Sequence, residues 1–209
     1  MSSSAPARTA TGRFPKIVVA GLLVVIAAIA ALGYQSRASS SATRASSDDG
    51  VRSDLRRALG EADGAVPDHT TVFHNEIPAV ANLDPALLSA LRQASTDAAA
   101  NGVELYVDSG WRSPAYQEHL LRDAIAEYGS EREAARWVAT PSTSAHVLGK
   151  AVDIGPSSAA AWLSGHGARY GLCQIYSNEP WHYELRPGAI DHGCPSMYAD
   201  PTRDPRMQQ

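Results

Sequence analysis

The sequence predicts an α+β fold, with a small, mostly antiparallel sheet and flanking helices, preceded by one transmembrane helix and a disordered tether. Three observations lead to this prediction. Strand-like runs and helical periodicities are mixed in the second half of the chain, without the regular βαβ alternation of parallel sheets. An uncharged apolar run lies near the N-terminus, and a polar stretch follows it.

The apolar run occupies residues 17–33 and follows Arg8, Arg13 and Lys16. At about 1.5 Å per residue, it can cross most of a bilayer core. The preceding positive charge predicts a cytoplasmic tail at 1–16 and a single-pass protein of the cell membrane whose C-terminal domain is extracytoplasmic. A cleaved signal peptide is the alternative. Its Ala-x-Ala-like matches lie inside the run, so we favour a retained signal anchor.

The stretch at residues 34–65 is rich in Ser, Ala, Arg and Asp and poor in large apolar side chains. Such a segment cannot bury enough apolar surface to offset its ordering entropy, so we predict a flexible linker. Residues 66–209 then form one domain, which we expect to be a monomer. The net charge of −4 and the absence of a basic cluster argue against a nucleic-acid partner.

The first predicted helix of the domain begins at Asp84 and Pro85 and ends at Gly102. Its apolar side chains fall on one face: Leu87, Leu88, Leu91, Ala94 and Ala98. Residues 103–107 alternate as a strand that leads into the loop at 109–113.

The second predicted helix begins at Ser113 and Pro114. Its larger side chains recur every four residues: Tyr116, Leu120, Ala124 and Tyr128. Gln117 lies in the first turn and can lean back towards the preceding loop, whereas His119 is expected to be solvated. Ser130 and Glu133 predict a capping box for a third helix.

Further strands are predicted at residues 151–154, 172–175 and 181–185, with a helix around 159–163. Trp137 and Trp162 are expected in the core. His166 and His192 are expected at the surface.

Two histidines and two carboxylates lie beside two of these strands. His146 is followed by Asp153, and Glu179 precedes His182 by three residues. Two neutral imidazoles and one carboxylate suit a catalytic Zn²⁺ site that keeps one position open. Glu179 can then serve as the base for a water molecule that the metal activates. A lone histidine is more often a surface or core residue, but this constellation indicates a metal site.

The spacing of the second pair restrains its geometry. In a plain strand, positions 179 and 182 would face opposite sides, so we expect Glu179 at the beginning of the strand or in a bulge. Gly149 and Ala151 are expected to let the backbone that carries the ligands approach the metal closely.

These residues resemble motifs of the zinc D-alanyl-D-alanine carboxypeptidases of the VanY type, a family of peptidoglycan peptidases. The family pattern Ser-x-His-x-x-Gly-x-Ala-x-Asp runs from Ser144 to Asp153, and Glu-x-x-His runs from Glu179 to His182. A third segment at residues 109–113 is similar to the family's Ser-Gly-Tyr-Arg-Ser, with Trp111 in place of the tyrosine. The resemblance covers about residues 83–186.

The resemblance implies a role for each matched residue. The zinc ligands would be His146, Asp153 and His182. Glu179 would be the base, and Arg112 would stabilise the oxyanion of the tetrahedral intermediate. The groups that hold the C-terminal end of the substrate would be Gln117 and Ser144.

The implied activity is zinc-dependent removal of the terminal D-alanine from peptidoglycan stem peptides. An L,D-carboxypeptidase or an endopeptidase on the same polymer is the alternative within this class. A non-catalytic module that binds the cell wall is the alternative outside it, although such a module need not keep Glu179.

Cys173 and Cys194 are the only cysteines. In an exported domain an even count favours a disulfide, which would join the C-terminal tail to a strand. A free pair is the alternative if the domain faces the cytosol.

Overall fold

The structure is a computed structural model that describes residues 59–208. The predicted cytoplasmic tail, the signal anchor and most of the predicted linker lie outside the described residues. Within 59–208, no helix is both long enough and apolar enough to cross a membrane.

The described part of the chain mixes helices with short strands, as predicted. The α-helices are α1 (Pro78–Ala81), α2 (Pro85–Ala100), α3 (Pro114–Tyr128), α4 (Glu131–Ala134), α5 (Ser157–His166) and α6 (Ala189–His192). The strands are β1 (Tyr106–Ser109), β2 (Ala151–Gly155), β3 (Leu172–Gln174) and β4 (His182–Leu185). Short 3₁₀ helices lie at Glu61–Asp63, Gly167–Tyr170, Pro201–Arg203 and Pro205–Gln208.

The strands form a four-stranded sheet in the order β1-β2-β4-β3, in which every neighbouring pair is antiparallel. The small antiparallel sheet of the predicted α+β fold is therefore confirmed. Asp153 of β2 pairs directly with His182 of β4. A bulge near the end of β1 leads the chain into the loop that carries Arg112.

Strand alternation separates the core from the opposite face of the sheet. Val152 and Ile154 of β2 and Tyr183 of β4 are buried in the main apolar cluster, which includes one face of α2. Asp153 and His182 alternate with these residues, so they lie on the other face. The core thus fixes the direction in which the polar side chains point.

Local capping signals explain where the two long helices begin. The Asp84 side chain accepts hydrogen bonds from the backbone N–H groups of Ala86 and Leu87, and Ser113 Oγ accepts one from Tyr116. Both predicted helix starts are confirmed. Ser113 is also the last residue of the loop that carries Arg112, so the cap holds this loop in place.

Residues 61–63, at the end of the predicted linker, form a 3₁₀ helix and belong to the same folded structure as the residues after the predicted boundary at 66. Asp63 Oδ1 accepts a hydrogen bond from Ser113 Oγ at 2.8 Å, and Asp63 O accepts one from the Ser113 backbone at the same distance. The end of the predicted linker therefore packs against the Arg112 loop.

Three local predictions are wrong. Strand β1 begins at Tyr106 instead of residue 103, because the N–H of Val103 closes the end of α2 by donating to Ala98 O at 2.9 Å. His119 is only 3% exposed instead of solvated, because the buried residues of α3 are Gln117, His119 and Ala124, and only Ala124 belongs to the stripe that the sequence indicated. Trp137 is 37% exposed and lies outside the core.

Gly149 lets two backbone segments meet. Its φ is +67°, and a Cβ placed on it would lie 2.4 Å from Asn82 O, between α1 and α2. Its own carbonyl accepts a hydrogen bond from Asp84 N at 2.8 Å. The close approach expected for this glycine is therefore to Asn82 and not to the ligand cluster.

Replacing Gly149 with alanine should lower the free energy of unfolding by about 2–4 kcal/mol, through left-handed strain and the clash with Asn82. Gly129→Ala is the matched control, because Gly129 has a φ of +79° but a Cβ placed on it would have no neighbour within 4 Å. It should lose only about 1 kcal/mol. Denaturant unfolding of both purified variants measures the difference, and equal losses would contradict the role of the close approach.

Candidate metal centre and catalytic cleft

Three predicted ligands meet on the polar face of the sheet. His146 comes from the loop before β2, Asp153 from β2 and His182 from β4. Asp153 Oδ1 lies 3.1 Å from His182 Nδ1 and 3.4 Å from His146 Nε2, and these two nitrogens are 3.3 Å apart. All three residues are buried. The structure thus brings together the set that the sequence indicated.

The outer nitrogens of both imidazoles have acceptors of their own. His146 Nδ1 donates to Gly110 O at 2.8 Å, and His182 Nε2 lies 3.5 Å from Glu184 Oε1. When these outer nitrogens carry the protons, the two inner nitrogens present lone pairs towards Asp153 Oδ1. Three acceptors that converge at this distance repel each other unless positive charge lies between them. The set therefore fits a divalent cation with two nitrogen ligands and one oxygen ligand.

The pKa values of the two histidines shift in opposite directions. Burial acts to lower the pKa of His182, but hydrogen bonds to Asp153 and Glu184 raise it to about 9. Burial and the nearby charge of Arg112 lower the pKa of His146. His146 is thus held in the neutral form that a metal ligand requires.

Arg112 lies beside the ligand cluster and is held by three side chains. Its Nε donates to Ser109 Oγ at 2.8 Å, one terminal nitrogen donates to Gln117 Oε1 at 3.2 Å, and the other donates to Asp153 Oδ2 at 3.1 Å. Asp153 therefore faces the histidines with one oxygen and Arg112 with the other. The guanidinium is fixed at the edge of the metal centre, where it can act on an anion.

The two side chains expected at the substrate's C-terminal end are both almost completely buried. Gln117 is 1% exposed, and its amide nitrogen donates to Ala139 O at 2.9 Å while its oxygen accepts from Arg112. This arrangement favours orientation of Arg112 over direct contact with substrate. Ser144 Oγ accepts from the N–H of Val147 at 3.4 Å and lines the cleft.

Glu179 lies in the turn that precedes β4, as its spacing from His182 predicted. The turn is closed by the N–H of His182, which donates to Glu179 O at 3.1 Å. One carboxylate oxygen lies 3.8 Å from His182 Nδ1, and the other is buried without a hydrogen-bond partner among the described residues. Burial raises the pKa of Glu179 to about 7. A carboxylate in this state is suited to accept and return a proton at neutral pH.

The metal centre opens into a cleft of about 410 Å³. Trp137 and Trp181 line the cleft, and both are partly exposed. The ring of Trp137 stacks on that of Tyr128, with centroids 5.9 Å apart. The aromatic side chain that the sequence placed in the core is thus part of the cleft wall.

Comparison with known proteins places this site in a family. The family described as "VanY: D-alanyl-D-alanine carboxypeptidase" matches residues 80–187, slightly more than half of the chain. The chain belongs to the VanY family. All the predicted ligands, the predicted base and the Arg112 loop fall within the matched residues.

A relative in Enterococcus faecalis (strain ATCC 700802 / V583), described as a D-alanyl-D-alanine carboxypeptidase, is 35% identical over 111 residues. This match covers 41% of the present chain and 41% of the relative, so the chain spans less than half of the relative's length.

Similar solved structures include VanYB in complex with D-alanine-D-alanine, with 31% identity, a TM-score of 0.49, and coverage of 53% of this chain and 74% of that one. Another is the vancomycin resistance D,D-pentapeptidase VanY from a VanB-type cassette in complex with Zn(II), with 30% identity, a TM-score of 0.47, and coverage of 49% and 72%. The LD-carboxypeptidase LdcB is 25% identical, with a TM-score of 0.49 and coverage of 61% and 71%.

The C-terminal tail of this VanY-family chain, residues 188–208, lies beyond the matched residues. The predicted disulfide is present, and it joins Cys194 of the tail to Cys173 of β3. Further along the tail, Pro201 and Met207 line the cleft. No local pattern in the sequence indicates that the tail takes part in the site, because its contacts are with residues distant in sequence.

Glu184 lies within the family match and contacts the ligand His182, but none of the motifs in the sequence includes it. It is 1% exposed and lies on the same face of β4 as His182, which is two residues earlier. The two-residue periodicity of the predicted strand was the signal that could have located it.

Proposed function

We propose that this protein is a zinc-dependent D,D-carboxypeptidase that removes the terminal D-alanine from peptidoglycan stem peptides. The observation that carries the proposal is the convergence of His146, Asp153 and His182 beside the unpartnered carboxylate oxygen of Glu179, in one cleft of the described residues. Membership of the VanY family supports the reaction. Relatives with solved structures in complex with Zn(II) and with D-alanine-D-alanine are consistent with the metal and the substrate.

The chain's own residues account for each requirement of the reaction. Zinc, when held by the two histidines and Asp153, supplies the Lewis acidity that makes water a nucleophile at neutral pH. Glu179 accepts the proton of this water and returns it to the leaving amine, a role that its raised pKa favours. Arg112 stabilises negative charge that develops at the scissile carbonyl.

Arg112 also bears on which end of the substrate is recognised. Asp153, Gln117 and Ser109 hold its guanidinium in one orientation, and a guanidinium presents its N–H donors as a planar fork. A fixed cation next to the cleft favours a substrate that ends in a free carboxylate. A carboxypeptidase has such a substrate, whereas an endopeptidase does not need one.

The decisive experiment compares two forms of a stem pentapeptide that ends in D-alanyl-D-alanine, one with a free carboxylate and one with a C-terminal amide. Mass spectrometry of the products should show release of D-alanine from the free acid at least about 10-fold faster, since the amide leaves charged donors without their anion. Equal rates would indicate an endopeptidase. Cleavage only of a tetrapeptide would indicate an L,D-carboxypeptidase, and no cleavage by zinc-loaded protein would favour the binding module.

We further propose that the domain works outside the cytoplasm, anchored by residues 17–33, which lie outside the described residues. The disulfide between Cys173 and Cys194 supports this location, because such bonds persist in oxidising compartments.

A further inference from the structure

We propose that Arg206 of the C-terminal tail is a positioning residue for the metal ligand His182 and that it acts through Glu184. The inference rests on the zinc site of the proposed function and assigns a role to a segment outside the family match at residues 80–187. The tail would then complete the support of the metal centre.

The tail first reaches the outer edge of the His182 ring, where Arg206 contacts Glu184 and Glu184 contacts the ring. Glu184 Oε1, which faces His182 Nε2, accepts a hydrogen bond from one terminal nitrogen of Arg206 at 3.2 Å. The other terminal nitrogen donates to Glu184 Oε2 at 2.6 Å. Arg186 contacts Oε2 alone, at 2.7 Å. Among the described residues, Arg206 is therefore the cation that holds the oxygen facing the ligand.

The second link reaches the flat side of the same ring. Asp204 is completely buried and binds Arg206 through its carboxylate, which also accepts a hydrogen bond from the Tyr176 hydroxyl at 3.0 Å. The Tyr176 ring packs against that of His182, with centroids 5.3 Å apart. The tail thus supports His182 at its edge through Glu184 and at its face through Tyr176.

The tail is itself fixed to the domain before it reaches these residues. The disulfide joins Cys194 to β3, and Tyr198 exchanges backbone hydrogen bonds of 2.9 Å with residues 175 and 177. Asp200 accepts a hydrogen bond from Arg136 at 3.2 Å. These anchors let Arg206 approach Glu184 from a defined direction.

Glu184 is a buried carboxylate that two guanidinium groups hold in place. Arg206 contacts both oxygens of this carboxylate, whereas Arg186 contacts one of them. Without Arg206, the remaining cation holds only Oε2, and Oε1 loses the contact that keeps it opposite His182 Nε2. Mutation of a carboxylate that orients a ligating histidine typically lowers metal affinity by about 10–100-fold.

The test measures zinc affinity, by competition with a chromogenic chelator, for the purified protein and its Arg206→Ala variant. We expect the variant to bind zinc about 10–100-fold more weakly. Arg203→Ala is the matched control, because Arg203 lies in the same tail, is exposed and has no side-chain partner among the described residues. It should bind zinc as tightly as the parent. An affinity for Arg206→Ala equal to that of Arg203→Ala would overturn the inference.

Two further variants separate positioning from general stability. Arg206→Lys keeps the charge of the tail but lacks the fork that reaches both oxygens, so its zinc affinity should lie between those of the parent and Arg206→Ala. When Arg206→Ala is added to the Glu184→Gln variant, zinc affinity should fall little further. Full additivity would overturn the route through Glu184. Failure of the parent itself to bind zinc would instead reject the proposed function.

Discussion

Replacing Glu179 with glutamine is expected to reduce turnover by at least about 10²-fold while one zinc per chain remains bound. Glutamine preserves the size of the side chain but cannot accept a proton. The carboxylate oxygen that has no partner among the described residues and the pKa of about 7 both indicate a base. The rate of D-alanine release and elemental analysis of the same sample measure the two quantities.

The matched control for this substitution is Glu127→Gln. Glu127 lines the same cleft and is exposed, and within the described part of the chain it forms no ion pair with the ligand residues. Its replacement should therefore leave turnover close to that of the parent. If zinc is lost from Glu179→Gln in parallel with activity, Glu179 is a ligand and its assignment as the base is wrong.

Replacing His182 with alanine is expected to abolish both zinc retention and hydrolysis. The substitution removes one of three ligands and leaves Glu184 without the ring that it orients, so turnover should fall by at least about 10³-fold. Zinc content after dialysis and D-alanine release test this. His192→Ala changes an exposed histidine outside the motifs and should keep both properties. Full activity in zinc-depleted His182→Ala would refute the metal mechanism.

The sequence was sufficient to predict features that depend on local signals. Asp84 and Ser113 cap their helices as expected, because a cap acts within one turn. The three ligands could be predicted because His146 and Asp153 lie close in sequence and His182 belongs to a recognisable motif. The paired strands then bring Asp153 and His182 together.

The features that the sequence did not predict depend on distant contacts. Arg206 reaches Glu184 across 22 positions, and no local pattern joins them. The exposure of His119 and Trp137 depends on which neighbours cover a helix, and periodicity does not describe those neighbours. For Gln117, the sequence predicted a position near Arg112, but only the structure shows that both ends of its amide are occupied.

The direct pairing of Asp153 with His182 also determines where this chain can change in length. Deleting one residue within β2 or β4 would turn a ligand towards the core and bring an apolar neighbour such as Val152 or Tyr183 to the cleft. Insertions at the ends of α5 and of the following 3₁₀ helix leave the pairing intact, because these elements contribute no ligand, whereas β3 and the turn that carries Glu179 lie in the rest of the same connection. Changes in chain length around α5 are thus compatible with an intact metal centre, whereas the two strands that carry ligands must keep their length.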